Sequence, residues 1–174
     1  MPEKKEKFTV EEVKKIPPAV LLKLIDRAKQ YLKKNEVMQK VCQEWEMPIE
    51  WIDILPVMFG DLDVSARTEH GVVILNYKLL CDGDFFKDYG YLIHEMTHQA
   101  QQIMGDRPTK SADDGEYLDN PFEIEGFQNQ IEYIADEFGK DEANKYVDNL
   151  LDHHDYEGKE AEDKKEELMD EVSS

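Results

Sequence analysis

Leu21, Leu24, Ile25, Ala28, Tyr31 and Leu32 recur three and four residues apart, with lysines between them. That spacing predicts an amphipathic helix over 18–34. Thr9 followed by Glu12 is a capping-box pattern for a short helix that ends before Pro17-Pro18. Val37, Met38, Val41 and Trp45 predict a further helix over about 36–46. The period then changes. Ile52-Asp53-Ile54-Leu55 reads as extended, with Pro56 disturbing it or placing it on an edge. Val64–Thr68 and the β-branched run Val72-Val73-Ile74-Leu75 flank the turn-like Glu69-His70-Gly71 and predict a hairpin.

Asp82-Gly83-Asp84 breaks the chain and is placed to cap a helix over 84–104. Phe85, Phe86, Tyr89, Leu92, Ile93, Met96, Ala100, Ile103 and Met104 form its apolar stripe. His94 and His98 fall nearly opposite the stripe centre, so the helix is expected to turn them away from its core face. Residues 105–120 are rich in Gly, Asp, Pro and Ser and read as a loop. Pro121 suits the first turn of a helix over 121–138, and another follows over 140–152. Residues 155–174 carry many charges and almost no large apolar side chains, and read as a solvated helix or a disordered tail.

The expected class is α+β: a small twisted, mostly antiparallel sheet over 50–76, two later helices packed on it, and extra helices over 9–46. The expected organisation is one domain over 1–152 and an acidic tail over 153–174. A chain of 174 residues is long enough for one domain with a real core.

Charge narrows the partners. The net charge is −19 and the pI about 4.5, which argues against a polyanion such as nucleic acid and against an anionic membrane surface. No apolar run reaches a membrane span, and the charged start lacks an apolar signal core, so the expected location is cytoplasmic. Cys42 and Cys81 form no C-x-x-C pair and read as reduced and buried.

The chemistry concentrates at His94-Glu95-Met96-Thr97-His98. Residues four apart share a helix face, so two imidazoles at this spacing can bind one metal ion, and the glutamate between them can reach a water on it. Zinc catalysis needs a third protein ligand and an open position. Candidates are Glu123, Glu125, Asp113, Asp114, Asp119 and His153 or His154. The helix after Pro121 carries the apolar stripe Ile124, Phe127, Ile131, Ile134, Ala135 and Phe138. Glu123 lies about 65° from the stripe centre and Glu125 about 135° away. A ligand that must point into the fold should flank the core face, which favours Glu123 and leaves Glu125 as runner-up. Against this, Asn129 lies four residues past Glu125 and could hold a ligand histidine, whereas Phe127, four past Glu123, could not.

With those residues in place, the chain resembles the gluzincin zinc metallopeptidases, above all their small single-domain members. The resemblance rests on His94–His98, the following Gln99-Ala100-Gln101-Gln102, and Asn120-Pro121-Phe122-Glu123-Ile124-Glu125-Gly126, and covers about 52–140. In such families a ligand glutamate precedes a small residue by three, here Glu123 and Gly126. An aspartate usually follows that glutamate by four, where this chain has Phe127. The resemblance implies a zincin-like fold, a bound Zn²⁺ and hydrolysis of peptide bonds in a peptide or protein substrate.

The mechanism expected from these residues has Glu95 as general base, taking a proton from the activated water and passing it to the leaving amine. Tyr117, in the loop before the ligand helix, is a candidate oxyanion donor. The strand near Val72–Leu75 could pair with an extended substrate if it lies at the sheet edge. The alternative is a latent or inactive zinc-binding interaction protein, with His153-His154-Asp155 a candidate to occupy the open metal position. Oligomeric state and cleavage preference leave no mark in the sequence.

Overall fold

The computed structural model describes residues 6–105 and 118–172. The chain is α+β and mostly helical, and divides into two compact units, Met1–Lys110 and Ser111–Ser174.

The first unit opens with α1 (Val10–Lys14). Its capping box is reciprocal: the Glu12 amide donates to Thr9 Oγ1 and the Thr9 amide to Glu12 Oε1, both at 3.1 Å. Pro18 begins α2 (Pro18–Lys33), which buries Ile25, Ala28 and Leu32 from the predicted stripe. Asn35 caps α3 (Glu36–Glu44), which buries Val37, Met38, Val41 and Cys42.

The sheet region departs from the extended stretch expected at Ile52–Leu55. Those residues lie in or beside one helical turn, α4 (Trp51–Ile54). Amides 51 to 53 donate to the carbonyls of Pro48, Ile49 and Glu50, so the turn is already wound before Trp51. Trp51, Ile52 and Leu55 point inward, a spacing that one helical turn satisfies and a strand does not. Lys29 Nζ donates to the Leu55 carbonyl at 2.6 Å and closes its end. The first strand comes after Pro56.

Strands β1 (Val57–Gly60), β2 (Ala66–Glu69) and β3 (Val72–Asn76) form a sheet of order β1-β3-β2. β2 and β3 are the predicted antiparallel hairpin, with Thr68 opposite Val73. His70 and Gly71 have φ of 49° and 81°, as a primed two-residue turn requires. β1 runs parallel to β3, so the sheet is mixed rather than mostly antiparallel. The crossover arises because β1 leads through β2 before β3 returns beside it.

The helix expected from residue 84 also starts later. Asp82 Oδ1 accepts the Asp84 amide in a turn, a 3-10 turn covers Phe86–Asp88, and α5 runs Tyr89–Met104. α5 lies against β2, β3 and α3 of its own unit.

The second unit is helical among its described residues. Asn120 Oδ1 accepts the Phe122 amide at 2.9 Å, and Pro121 starts α6 (Pro121–Phe138). Gly139, at φ 99°, ends it and leads into α7 (Lys140–His153). Phe127 and Ile131 of the predicted α6 stripe join Leu118, Ala143, Val147 and Leu151 in one core, with Ile124, Ile134 and Ala135 packed against it. Residues 153–174, expected as an acidic tail, include α8 (Gly158–Leu168), whose Leu168 is fully buried in the same core. Lys164 ties α8 to the chain before α6, donating to the Leu118 carbonyl and to Asp119.

No helix among the described residues is long and apolar enough to cross a membrane. Cys42 and Cys81 are free and buried.

Candidate metal centre

α5 places His94 and His98 one turn apart, with ring centroids 4.6 Å apart and planes at 88°. The apolar stripe predicts that this face turns away from the core, yet both rings are buried, at 3% and 2% exposure. Every residue from Leu92 to Gln101 is buried, so the middle of α5 is covered on all sides. Idle surface histidines are thereby excluded. A buried imidazole needs partners for its nitrogens, and the structure supplies one of a particular kind.

His98 Nδ1 lies 2.9 Å from Oε1 of Gln101, three residues on along the same helix. An amide oxygen only accepts, so Nδ1 carries the hydrogen, and in a neutral ring Nε2 would then present its lone pair. A ligand histidine needs this arrangement. The second glutamine of Gln99-Ala100-Gln101-Gln102 is thus a site residue, readable in the sequence only as a position three beyond His98.

Glu95 is also buried. Thr68 Oγ1, on β2, donates to its Oε1 at 2.8 Å. Its other oxygen, Oε2, lies 4.0 Å from His94 Nε2. Thr68 escapes sequence reading because nothing in an extended Ala-Arg-Thr-Glu stretch says which residue faces the helix. Tyr91, one turn before Glu95 on α5, has its hydroxyl pushed up chiefly by burial, moderated by a hydrogen bond with Ser65. It stays protonated at neutral pH.

Glu123 sits in the first turn of α6, where the Asn120 cap and Pro121 fix its position. It is 2% exposed, whereas Glu125 is only partly buried. α6 therefore has a second buried face that apolar phasing does not show, made of Glu123, Gly126, Gln130 and Tyr133.

Among the described residues, one group of three metal-binding side chains brings its ligand atoms together. It consists of His94, His98 and Glu123, all buried, each offering an atom within 4.8 Å of the others. The other described candidates, Glu125, His153 and His154 among them, are not part of it. Asp119 pairs with Lys164 at 3.0 Å. Asp113, Asp114 and the proposed oxyanion donor Tyr117 lie outside the described residues. The strand considered for substrate pairing, β3, is the central strand of its sheet and has no free edge.

Two imidazole nitrogens and one carboxylate oxygen are a donor set that could hold a metal ion, one ligand short of a closed tetrahedral site. No family model, curated protein or solved structure matches the chain.

Proposed function

We propose that the chain is a zinc metallopeptidase of gluzincin type with a zincin-like fold, hydrolysing peptide bonds in a peptide or protein substrate. The observation that carries this reading is the convergence of His94, His98 and Glu123 to within 4.8 Å, with Glu95 buried between the two histidines in sequence. Nitrogen and carboxylate oxygen donors in that ratio suit zinc, and a three-ligand set leaves room for a fourth. Bound there, zinc would supply Lewis acidity and a water of near-neutral pKa.

The chain's own part is orientation and proton handling. Gln101 fixes the His98 tautomer through Nδ1. Glu95 takes the proton of the attacking water on a carboxylate oxygen and delivers it to the departing amine. Burial of this carboxylate keeps bulk water from competing for that proton.

The test is Glu95→Gln in the full chain. The variant should keep about one zinc per chain and lose cleavage of a mixed peptide substrate by roughly two orders of magnitude or more. Cleavage at the parental rate would overturn the mechanism.

Burial favours a second reading. The three ligands and Glu95 are each 7% exposed or less, as suits a latent or inactive zinc-binding protein. One zinc per chain without cleavage by the parent supports it.

A further inference from the structure

We propose that Thr68 is a positioning residue that fixes which oxygen of Glu95 works as the base. This rests on the peptidase reading above. Thr68 is the one buried residue of β2, between half-buried Arg67 and exposed Glu69. A strand position facing a helix is most simply filled by an apolar β-branched side chain, and valine has nearly the same shape as threonine. A hydroxyl there costs free energy unless it is bonded. Here it is bonded, and its acceptor is the buried carboxylate of Glu95, at 2.8 Å from Oε1.

The consequence is a division between the two oxygens. A hydroxyl has one hydrogen, and the short contact to Oε1 takes it. The Glu95 carbonyl, 3.4 Å away, is a weaker acceptor. With Oε1 held, the carboxylate cannot rotate to exchange its oxygens without breaking that bond. Oε2, 4.0 Å from His94 Nε2, is left on the side of the ligand histidines to receive the proton. Because β2 is locked to β3 through the Thr68–Val73 register, the anchor is part of the sheet and not of a loop.

The experiment compares Thr68→Val and Thr68→Ser with the parent, all zinc-loaded, on a fluorogenic peptide mixture. Thr68→Val should lower kcat about 10- to 100-fold, the range typical of losing an orienting partner, with KM within about twofold and zinc still one per chain. Thr68→Ser should restore most of kcat. Thermal unfolding gives a second readout. Thr68→Val should lower Tm in the parent and leave it unchanged or higher in a Glu95→Ala background, where the hydroxyl has lost its carboxylate acceptor. Should Thr68→Val not fold, Thr68→Ala carries the same comparison against Thr68→Ser.

Undiminished kcat in Thr68→Val with an active parent overturns the positioning role alone. A loss that Thr68→Ser fails to restore also overturns it, because packing and not the hydroxyl is then responsible. A zinc-loaded parent that cleaves nothing overturns the peptidase reading and this role with it.

Discussion

His98 Nδ1 and Gln101 Oε1 lie 2.9 Å apart, in side chains that are both buried within α5. The amide oxygen can only accept, so it keeps the hydrogen on Nδ1 and leaves Nε2 as the ring nitrogen that could meet a metal. Gln101→Leu keeps much of the volume and removes the acceptor. It should weaken zinc binding about tenfold, measured by competition with a fluorescent chelator. Unchanged affinity would show that the contact is incidental.

Glu123 and Glu125 are two residues apart on α6 and differ in burial. Glu123→Gln should weaken zinc binding by on the order of a hundredfold or more, through loss of an anionic ligand. Glu125→Gln should leave it within about twofold. The same chelator competition decides between them, and a reversed pattern would assign the third ligand to Glu125.

Gly105 closes α5, its amide donating to the Gln101 carbonyl at 2.9 Å. A Cβ there would sit 2.8 Å from that oxygen and 3.0 Å from the Trp45 ring. Neither can retreat freely, since one is helix backbone. Gly105→Ala should destabilise the fold by about 1–3 kcal/mol, seen as a lower midpoint in urea. An unchanged midpoint would mean that the helix end relaxes without cost.

Burial pushes the Cys42 thiol up from 9.0 to about 11. The unfolded chain loses this proton first as pH rises, so unfolding becomes easier between about pH 9 and pH 11. Below pH 9 the thiol is neutral in both states and contributes no slope. Cys42→Ala should therefore flatten the fall of stability over that window, read from urea midpoints at successive pH values. Parallel curves for parent and variant would contradict the assignment.

The sequence carried the helices well because their apolar residues recur on one face. α2, α3 and α6 follow their predicted stripes, and the capping box read at Thr9 and Glu12 is realised as hydrogen bonds. It carried the sheet less well. Ile52-Asp53-Ile54-Leu55 alternates like a strand, and four residues are too few for periodicity to reveal that helical bonds from Pro48 onward have already begun a turn.

The candidate cluster was legible where a residue type implies metal binding: His94, His98 and Glu123. It was hidden where polar residues are buried by partners distant in the chain. Apolar phasing treats such residues as surface, so Thr68, Gln101, Gln130 and the burial of both histidines escaped it. The packing of α8 escaped for a related reason. One leucine, Leu168, anchors a helix that otherwise reads as charged and solvated.

The central claim is that a single metal ion sits among His94, His98 and Glu123. Diffraction from zinc-loaded crystals, recorded on both sides of the zinc absorption edge, tests it most directly. The account predicts one strong anomalous peak about 2 Å from a nitrogen of each histidine and from a Glu123 oxygen. A zinc peak bound elsewhere, or none at this position in zinc-soaked crystals, would contradict it.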